Sequence, residues 1–242
     1  MRLSVLLAAG LLCATQAHAE EKKNWELSGQ LDLVSDYRFR GVSLTDLDPA
    51  VQPSITLSHK SGFYLNAWGS NISRTEGGAR VELDLAGGFE WERGPISADL
   101  SVTYYTNPGD SALNYAEASA VITYDAGAFK PHVGFSYVPP QSATRRETGG
   151  KADNVYLTAG ADFAVPHTPV TISGQIGYER GFFDYNDKGG KFDWHIGAGV
   201  HYRDIGFQLS YVDSSVHVRD GGKDLAKAAL LAQLSFSFGK SD

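Results

Sequence analysis

Apolar and polar residues alternate in stretches of about ten, and the alternation restarts twelve times between Trp25 and Phe238. Period-two alternation predicts strands with one apolar and one polar face. The connections alternate short and long. Short turns at one rim and long loops at the other are the plan of a membrane-spanning antiparallel up-and-down β-barrel.

The first strand is read over 25–40. Trp25, Leu27, Gly29, Leu31, Leu33, Ser35, Tyr37 and Phe39 fall on one face. Glu26, Ser28, Gln30, Asp32, Asp36, Arg38 and Arg40 fall on the other. A dry core could not take those charges, whereas a polar lumen accepts them. The fourth strand sets Val81, Leu83, Leu85, Phe89 and Trp91 against Arg80, Glu82, Asp84 and Glu90. The others run over 50–60, 63–72, 96–105, 115–124, 129–138, 154–165, 170–179, 192–203, 205–213 and 227–238. The weakest pattern is 115–124, whose outward face would be Ala116, Ala118, Ala120, Ile122 and Tyr124.

Short turns are expected near Ser61-Gly62, Gly94-Pro95, Ala126-Gly127, Thr168-Pro169 and Arg203-Asp204. Long loops are expected over 41–49, 73–79, 106–114, 139–153, 180–191 and 214–226. An even strand number puts both termini on the short-turn side, the periplasm in an outer-membrane barrel. Outward aromatics band by height, as interfacial belts do. Trp25, Phe63, Trp91, Tyr124, Phe129, Phe163, Tyr202, Phe207 and Phe238 mark the short-turn rim. Tyr37, Phe39, Tyr104, Tyr137, Tyr178, Trp194 and Tyr211 mark the other. A soluble barrel or sandwich also alternates, but has no reason to band its aromatics.

The N-terminus changes the domain reading. Residues 1–19 carry Arg2, an apolar run from Leu3 to Leu12 and Ala17-His18-Ala19, the pattern of a cleaved secretory signal. Residues 20–242 are then the barrel. Cys13, the one cysteine, leaves with the signal, so no disulfide is expected. Loss of Arg2 moves the net charge from −7 to −8, which argues against a nucleic-acid partner. No later stretch is apolar enough for a spanning helix.

Several segments resemble a known family. Ser35-Asp36-Tyr37-Arg38-Phe39-Arg40-Gly41-Val42-Ser43, Pro49-Ala50-Val51-Gln52, Gly62-Phe63-Tyr64-Leu65, Trp68-Gly69-Ser70-Asn71 and Glu82-Leu83-Asp84-Leu85 are similar to the TorF-type porins, which carry the Gcw_chp domain. The motifs cover the first third of the chain; the rest matches in strand rhythm and length. The resemblance implies an outer-membrane channel and supplies no catalytic residues. Leu234-Ser235-Phe236-Ser237-Phe238 has the aromatic ending common to such barrels, here followed by Gly239-Lys240-Ser241-Asp242.

On this register the lumen carries Glu26, Asp32, Asp36, Glu82, Asp84, Glu90, Asp99, Glu117, Asp162, Glu179 and Asp193. Against them stand Arg38, Arg40, Lys60, Arg80, Lys130, Arg203 and Lys227. The acidic excess favours cations, unless these charges simply pair and brace the barrel. Gly134, Gly160, Gly177, Gly197, Gly199 and Gly206 suggest a bare wall facing a bulky one. The pore-lining candidates are Asp36, Arg38, Arg40, Tyr64, Trp68, Glu82 and Asp84, expected to form a narrow, weakly cation-preferring passage.

Other chemistry finds little support. No G-x-S-x-G or H-E-x-x-H motif occurs, so nothing fixes a catalytic triad or a zinc site. His195 and His201 share a face but stand about 20 Å apart along a strand, too far to chelate one metal. Asp184-Tyr185-Asn186-Asp187-Lys188-Gly189 begins like a calcium loop, but Lys188 holds a position that wants oxygen. No cofactor is expected. The expected partners are outer-membrane lipids and small hydrophilic solutes or ions. A plugged structural or adhesive barrel, or a barrel hydrolase acting on lipid or peptide, are the other classes.

Overall fold

The computed structural model describes residues 24–147, 149–186 and 189–239. The expected signal segment, residues 1–19, lies outside the described residues. Twelve strands form one closed antiparallel barrel. They are β1 Trp25–Val34, β2 Ala50–His59, β3 Phe63–Asn71, β4 Val81–Arg93, β5 Ile96–Thr106 and β6 Tyr115–Tyr124. The second half is β7 Phe129–Val138, β8 Asn154–Ala164, β9 Val170–Gly181, β10 Lys191–Tyr202, β11 Ile205–Ser214 and β12 Ala229–Phe238.

Each strand pairs with its chain neighbours, and β1 closes on β12 through Gly29 opposite Phe238 and Val34 opposite Gln233. Closure leaves no unpaired edge, which a bilayer would penalise. At this seam Gly29 makes room: a Cβ there would overlap the Phe238 ring. Even strand number returns both barrel ends to the short-turn rim, since Trp25 pairs with His59 beside the turn at 60–62.

The alternation is realised as read. Leu65, Leu85, Leu100, Val133, Leu157, Ile196 and Leu209 all point outward and are exposed. Exposed apolar residues on nearly every strand make this the surface of a membrane-spanning barrel. Ten strand residues rise about 33 Å, or about 25 Å along the normal at a tilt near 40°, which matches a hydrocarbon core. The sparse strand, β6, keeps its register, with Ile122 and Tyr124 outward and Glu117, Ser119 and Thr123 buried within.

The first strand departs from the reading. It ends at Val34, not Arg40, and the segment after it turns into the lumen, carrying Tyr37, Phe39, Arg40 and Val42 inside. Inside, Arg38–Phe39 pairs with Val42–Ser43 in a two-residue hairpin. Arg40 takes φ 50° and Gly41 φ 83° at its tip. Glycine is at ease in that left-handed region; an arginine must be held there by its contacts. Tyr37 and Phe39, expected in the lipid belt, therefore lie inside. The physical reason is that an inward hairpin also needs aromatic faces to pack against the wall. Phe39 meets Tyr105, ring centroids 5.9 Å apart, and Tyr37 meets Trp68.

Candidate functional site

The inward loop is fastened first by its own polar groups. The Asp36 carboxylate accepts from Arg38 Nε at 2.7 Å, Ser43 Oγ at 2.5 Å and Thr45 Oγ1 at 3.2 Å. Thr45 Oγ1 in turn accepts the Tyr37 N–H at 3.0 Å. Neighbouring loops then tie it down. Arg38 Nη1 donates to Lys227 O at 2.8 Å, Ser43 N to Leu225 O at 2.9 Å, and Ser73 N to Leu44 O at 2.8 Å. Val42 packs with Val216 and Ala226 of the last long loop. At its outer end Lys223 Nζ meets Asp46 Oδ2 at 3.0 Å, a hydrogen bond that holds the lysine above its ordinary pKa.

The tip carries Arg40 into a pocket built by the wall. Its Nη1 lies 2.7 Å from Glu179 Oε1 on β9, and its Nη2 lies 2.6 Å from Glu117 Oε2 and 2.7 Å from Glu117 Oε1 on β6. The guanidinium sits between two rings, 4.2 Å from the Tyr156 centroid and 4.6 Å from Phe39. Glu179 also meets Lys191 Nζ at 2.6 Å and accepts from Asn154 Nδ2 at 2.9 Å. Tyr156 donates to Asp193 Oδ1 at 2.9 Å. Glu117, Glu179 and Lys191 are 1, 0 and 1 % exposed, so no water-wide opening touches them. Charges so buried persist only when paired; Glu117 and Glu179 are both ion-paired and hydrogen-bonded, and Lys191 is ion-paired to Glu179.

The expected site residues divide into three groups. Trp68 stands directly across from Asp84, and Glu82 across from Ser70, on the row where Tyr37 packs. Asp36 and Arg38 pair with each other and brace the loop. Arg40 reaches away to Glu117 and Glu179. Tyr64 lies four residues from Trp68 along β3, about 13 Å nearer the short-turn rim, with its ring over Gly88.

Two expectations about the lumen need correction. Lys60, Arg80, Arg203 and Lys227 are exposed and lie in turns or loops outside the barrel strands, where they leave the lumen charge alone. Among the described residues the buried wall and loops hold Asp32, Asp36, Glu82, Asp99, Glu117, Glu179, Asp184 and Asp193 against Arg40, Lys191 and the buried side chain of Arg38. The interior is thus more acidic than the strand register implied. The inward glycines do not leave a bare wall either. Thr158 covers Gly134, His132 covers Gly160, Tyr156 covers Gly177 and Ser210 covers Gly197. These glycines seat neighbouring side chains.

Sequence reasoning missed Tyr105, Tyr156 and Lys191 as site members. Tyrosines on an otherwise polar face were the available signal for the first two. The alternation starts its strand at 192, which leaves Lys191 one residue outside, in the preceding loop. Asp184 accepts the N–H groups of Gly181, Asn186 and Gly190, each at 3.1 Å, and so shapes its own loop. Residues 187–188 of that loop lie outside the described residues. Among those described, no three His, Cys, Asp or Glu residues are grouped to hold a metal.

The closed twelve-strand antiparallel barrel is a porin-like fold. The chain belongs to the family described as bacterial protein of unknown function (Gcw_chp), which matches residues 18–238. Its fold is similar to that of the NanC porin, at TM-score 0.62 and 11 % identity over 87 % of this chain and 100 % of that one. It is also similar to the KdgM porin in complex with disordered oligogalacturonate, at TM-score 0.57 and 8 % identity over 88 % of this chain and 99 % of that one. No curated protein matches the chain by sequence.

Proposed function

We propose that this protein is an outer-membrane channel for passive diffusion of small hydrophilic solutes or ions, narrow and weakly cation-preferring. The observation that carries the reading is a closed barrel, apolar outside, whose charged lumen is narrowed by the loop bearing Arg40. Residues 1–19 act as a removed export signal, and both termini face the periplasm. Asp36, Arg38, Arg40, Tyr64, Trp68, Glu82 and Asp84 line or brace the passage. The reading calls for no cofactor, catalytic group or nucleic-acid partner.

The cation preference rests on the buried carboxylates, which outnumber buried cations. Rings of carboxylate favour cations. The oligogalacturonate bound by the similar KdgM porin is acidic, and the lumen described here suits solutes of the opposite sign. The near-complete burial of Glu117, Glu179 and Lys191 favours a second reading, a barrel with a plugged lumen.

Planar-bilayer recording of the purified protein tests both. Small discrete steps, with a reversal potential displaced toward the cation, support the channel. Folded protein that migrates more slowly after boiling yet gives silent bilayers supports the plug. Recovery as a soluble periplasmic protein would overturn both readings.

A further inference from the structure

We propose that the pocket formed by Glu117, Glu179, Asp193 and Tyr156 is a recognition site for guanidinium- or ammonium-bearing solutes, and that Arg40 occupies it as a tethered stand-in for such a solute. This deepens the channel reading and rests on it for the route by which a solute arrives; binding itself does not depend on that route.

The geometry is that of a ligand site. Two carboxylates on different strands grip the edge of one planar cation, Glu117 with both oxygens and Glu179 with one, at 2.6–2.7 Å. The two terminal nitrogens of one planar group thus reach carboxylates on two different strands, Nη2 to Glu117 and Nη1 to Glu179, a span that suits guanidinium. The Tyr156 face lies 4.2 Å below the cation, an arrangement worth more when desolvated. Tyr105 O–H approaches Glu117 at 3.4 Å, and Asn154 Nδ2 fixes Glu179 at 2.9 Å. All five of these wall residues come from barrel strands, so the pocket exists without the loop.

The loop supplies Arg40 and, beside it, the Phe39 ring. The Arg40 backbone is in the left-handed region, followed by Gly41, whose Cβ position would lie 3.0 Å from Asp193 Cβ and 3.1 Å from Ser214 Cβ. The tip is thus pressed against the wall around the pocket. A second observation points to a further cationic group. Asp193 is 7 % exposed, and its Oδ2 has no hydrogen-bond partner among the described residues, while its Oδ1 is held by Tyr156. Glu82 Oε2 and Asp84 Oδ1 are likewise buried and unpartnered. With Arg38 paired to Asp36, the wall still offers more carboxylate oxygen than Arg40 and Lys191 satisfy. A solute with a guanidinium at one end and an ammonium at the other matches that excess.

A tethered ligand competes at an effective concentration in the millimolar range. A free solute must displace it, and its apparent affinity falls by the fraction of pockets left vacant. Agmatine is a suitable probe, with both cationic groups on one small chain. Calorimetric titration of the folded, detergent-solubilised full-length barrel should show agmatine binding Arg40→Ala roughly tenfold or more tightly than the wild type. The triple variant Arg40→Ala/Glu117→Gln/Glu179→Gln should lose that binding.

If Arg40→Ala folds poorly because its carboxylates stand unpaired, agmatine added during refolding should raise the folded yield. The same addition should do nothing for the triple variant. Equal affinity in wild type and Arg40→Ala would overturn the proposal, as would binding or rescue that survives loss of both glutamates. Silent bilayers with intact agmatine binding would instead sink the channel reading and leave the pocket standing.

Discussion

The Tyr37 ring lies against Trp68 with centroids 5.3 Å apart, joining the inward loop to β3 at the row that holds Asp84. An aromatic pair of this kind contributes about 0.5–1.5 kcal/mol beyond its burial. Trp68→Ala should therefore leave the barrel folded, free the loop on that side, and raise both conductance and open-channel noise. Single-channel recording checks this. Currents indistinguishable from wild type would show that the Tyr37 contact does not hold the loop.

The Asp36 carboxylate gathers three donors that belong to the loop itself, Arg38, Ser43 and Thr45. Asp36→Ala should cost the loop on the order of 1.5–3 kcal/mol, the range for hydrogen bonds to a charged group. The barrel strands do not share those bonds and should persist. Limited trypsin digestion of the reconstituted protein should then cut after Arg38 or Arg40, sites shielded in the wild type. Equal resistance in both proteins would mean that the ties to Lys227, Leu225 and Ser73 suffice.

The strands, the turns and the outward face were legible in the sequence because period-two alternation is a local signal. Even β6, with alanines outward, kept its register. The inward loop was not legible for the same reason. Tyr37 and Phe39 continue the alternation of Trp25 to Leu33, and nothing local distinguishes an aromatic facing lipid from one facing a lumen. The break at Val34 is fixed by distant partners: Arg40 pairs with residues 77 and 139 positions away. Glu117 and Glu179 were legible as inward carboxylates but not as one site, because spacing along the chain says little about position around a barrel. Lys191 shows the cost of misplacing a strand boundary by one residue.

Gly177 stands opposite Asp193 in the strand pairing, and the Tyr156 ring lies where its Cβ would be. Gly177→Ala should push that ring aside, break its bond to Asp193 and withdraw the face beneath Arg40. The expected loss is about 1–3 kcal/mol, the range for overpacking a filled site. Thermal melting in detergent should report it. Tyr156→Phe should lose only the hydrogen bond, about 0.5–1.5 kcal/mol. A Gly177→Ala barrel as stable as wild type would show that the ring has other room.

Leu100 lies near the middle of β5, outward between Phe89 and Ala120, and is 56 % exposed. Leu100→Arg puts a charge at bilayer mid-depth and should cost ~2–4 kcal/mol of folding into lipid. Ser101→Asn, one residue on and facing the lumen, should cost under about 1 kcal/mol. Equilibrium folding into vesicles separates the two. Equal losses would contradict the assigned faces.

Asp84 carries the clearest test of selectivity. It faces Trp68 on one side and Tyr105 on the other, and its Oδ1 has no hydrogen-bond partner among the described residues. Among the described residues no ion pair engages it, unlike Glu117 and Glu179. A unit charge about 4 Å from a passing ion contributes roughly 1 kcal/mol even in water. Asp84→Lys reverses that contribution, about 2 kcal/mol in all, or on the order of thirtyfold in the relative ease of passing a small cation. The reversal potential in a salt gradient should move toward the anion, and Asp84→Asn should move it about half as far. Raising the ionic strength should shrink both shifts, because screening shortens the reach of the charge. Reversal potentials unchanged in both variants would place the selective constriction away from Asp84, leaving the Arg40 pocket as the remaining narrow point.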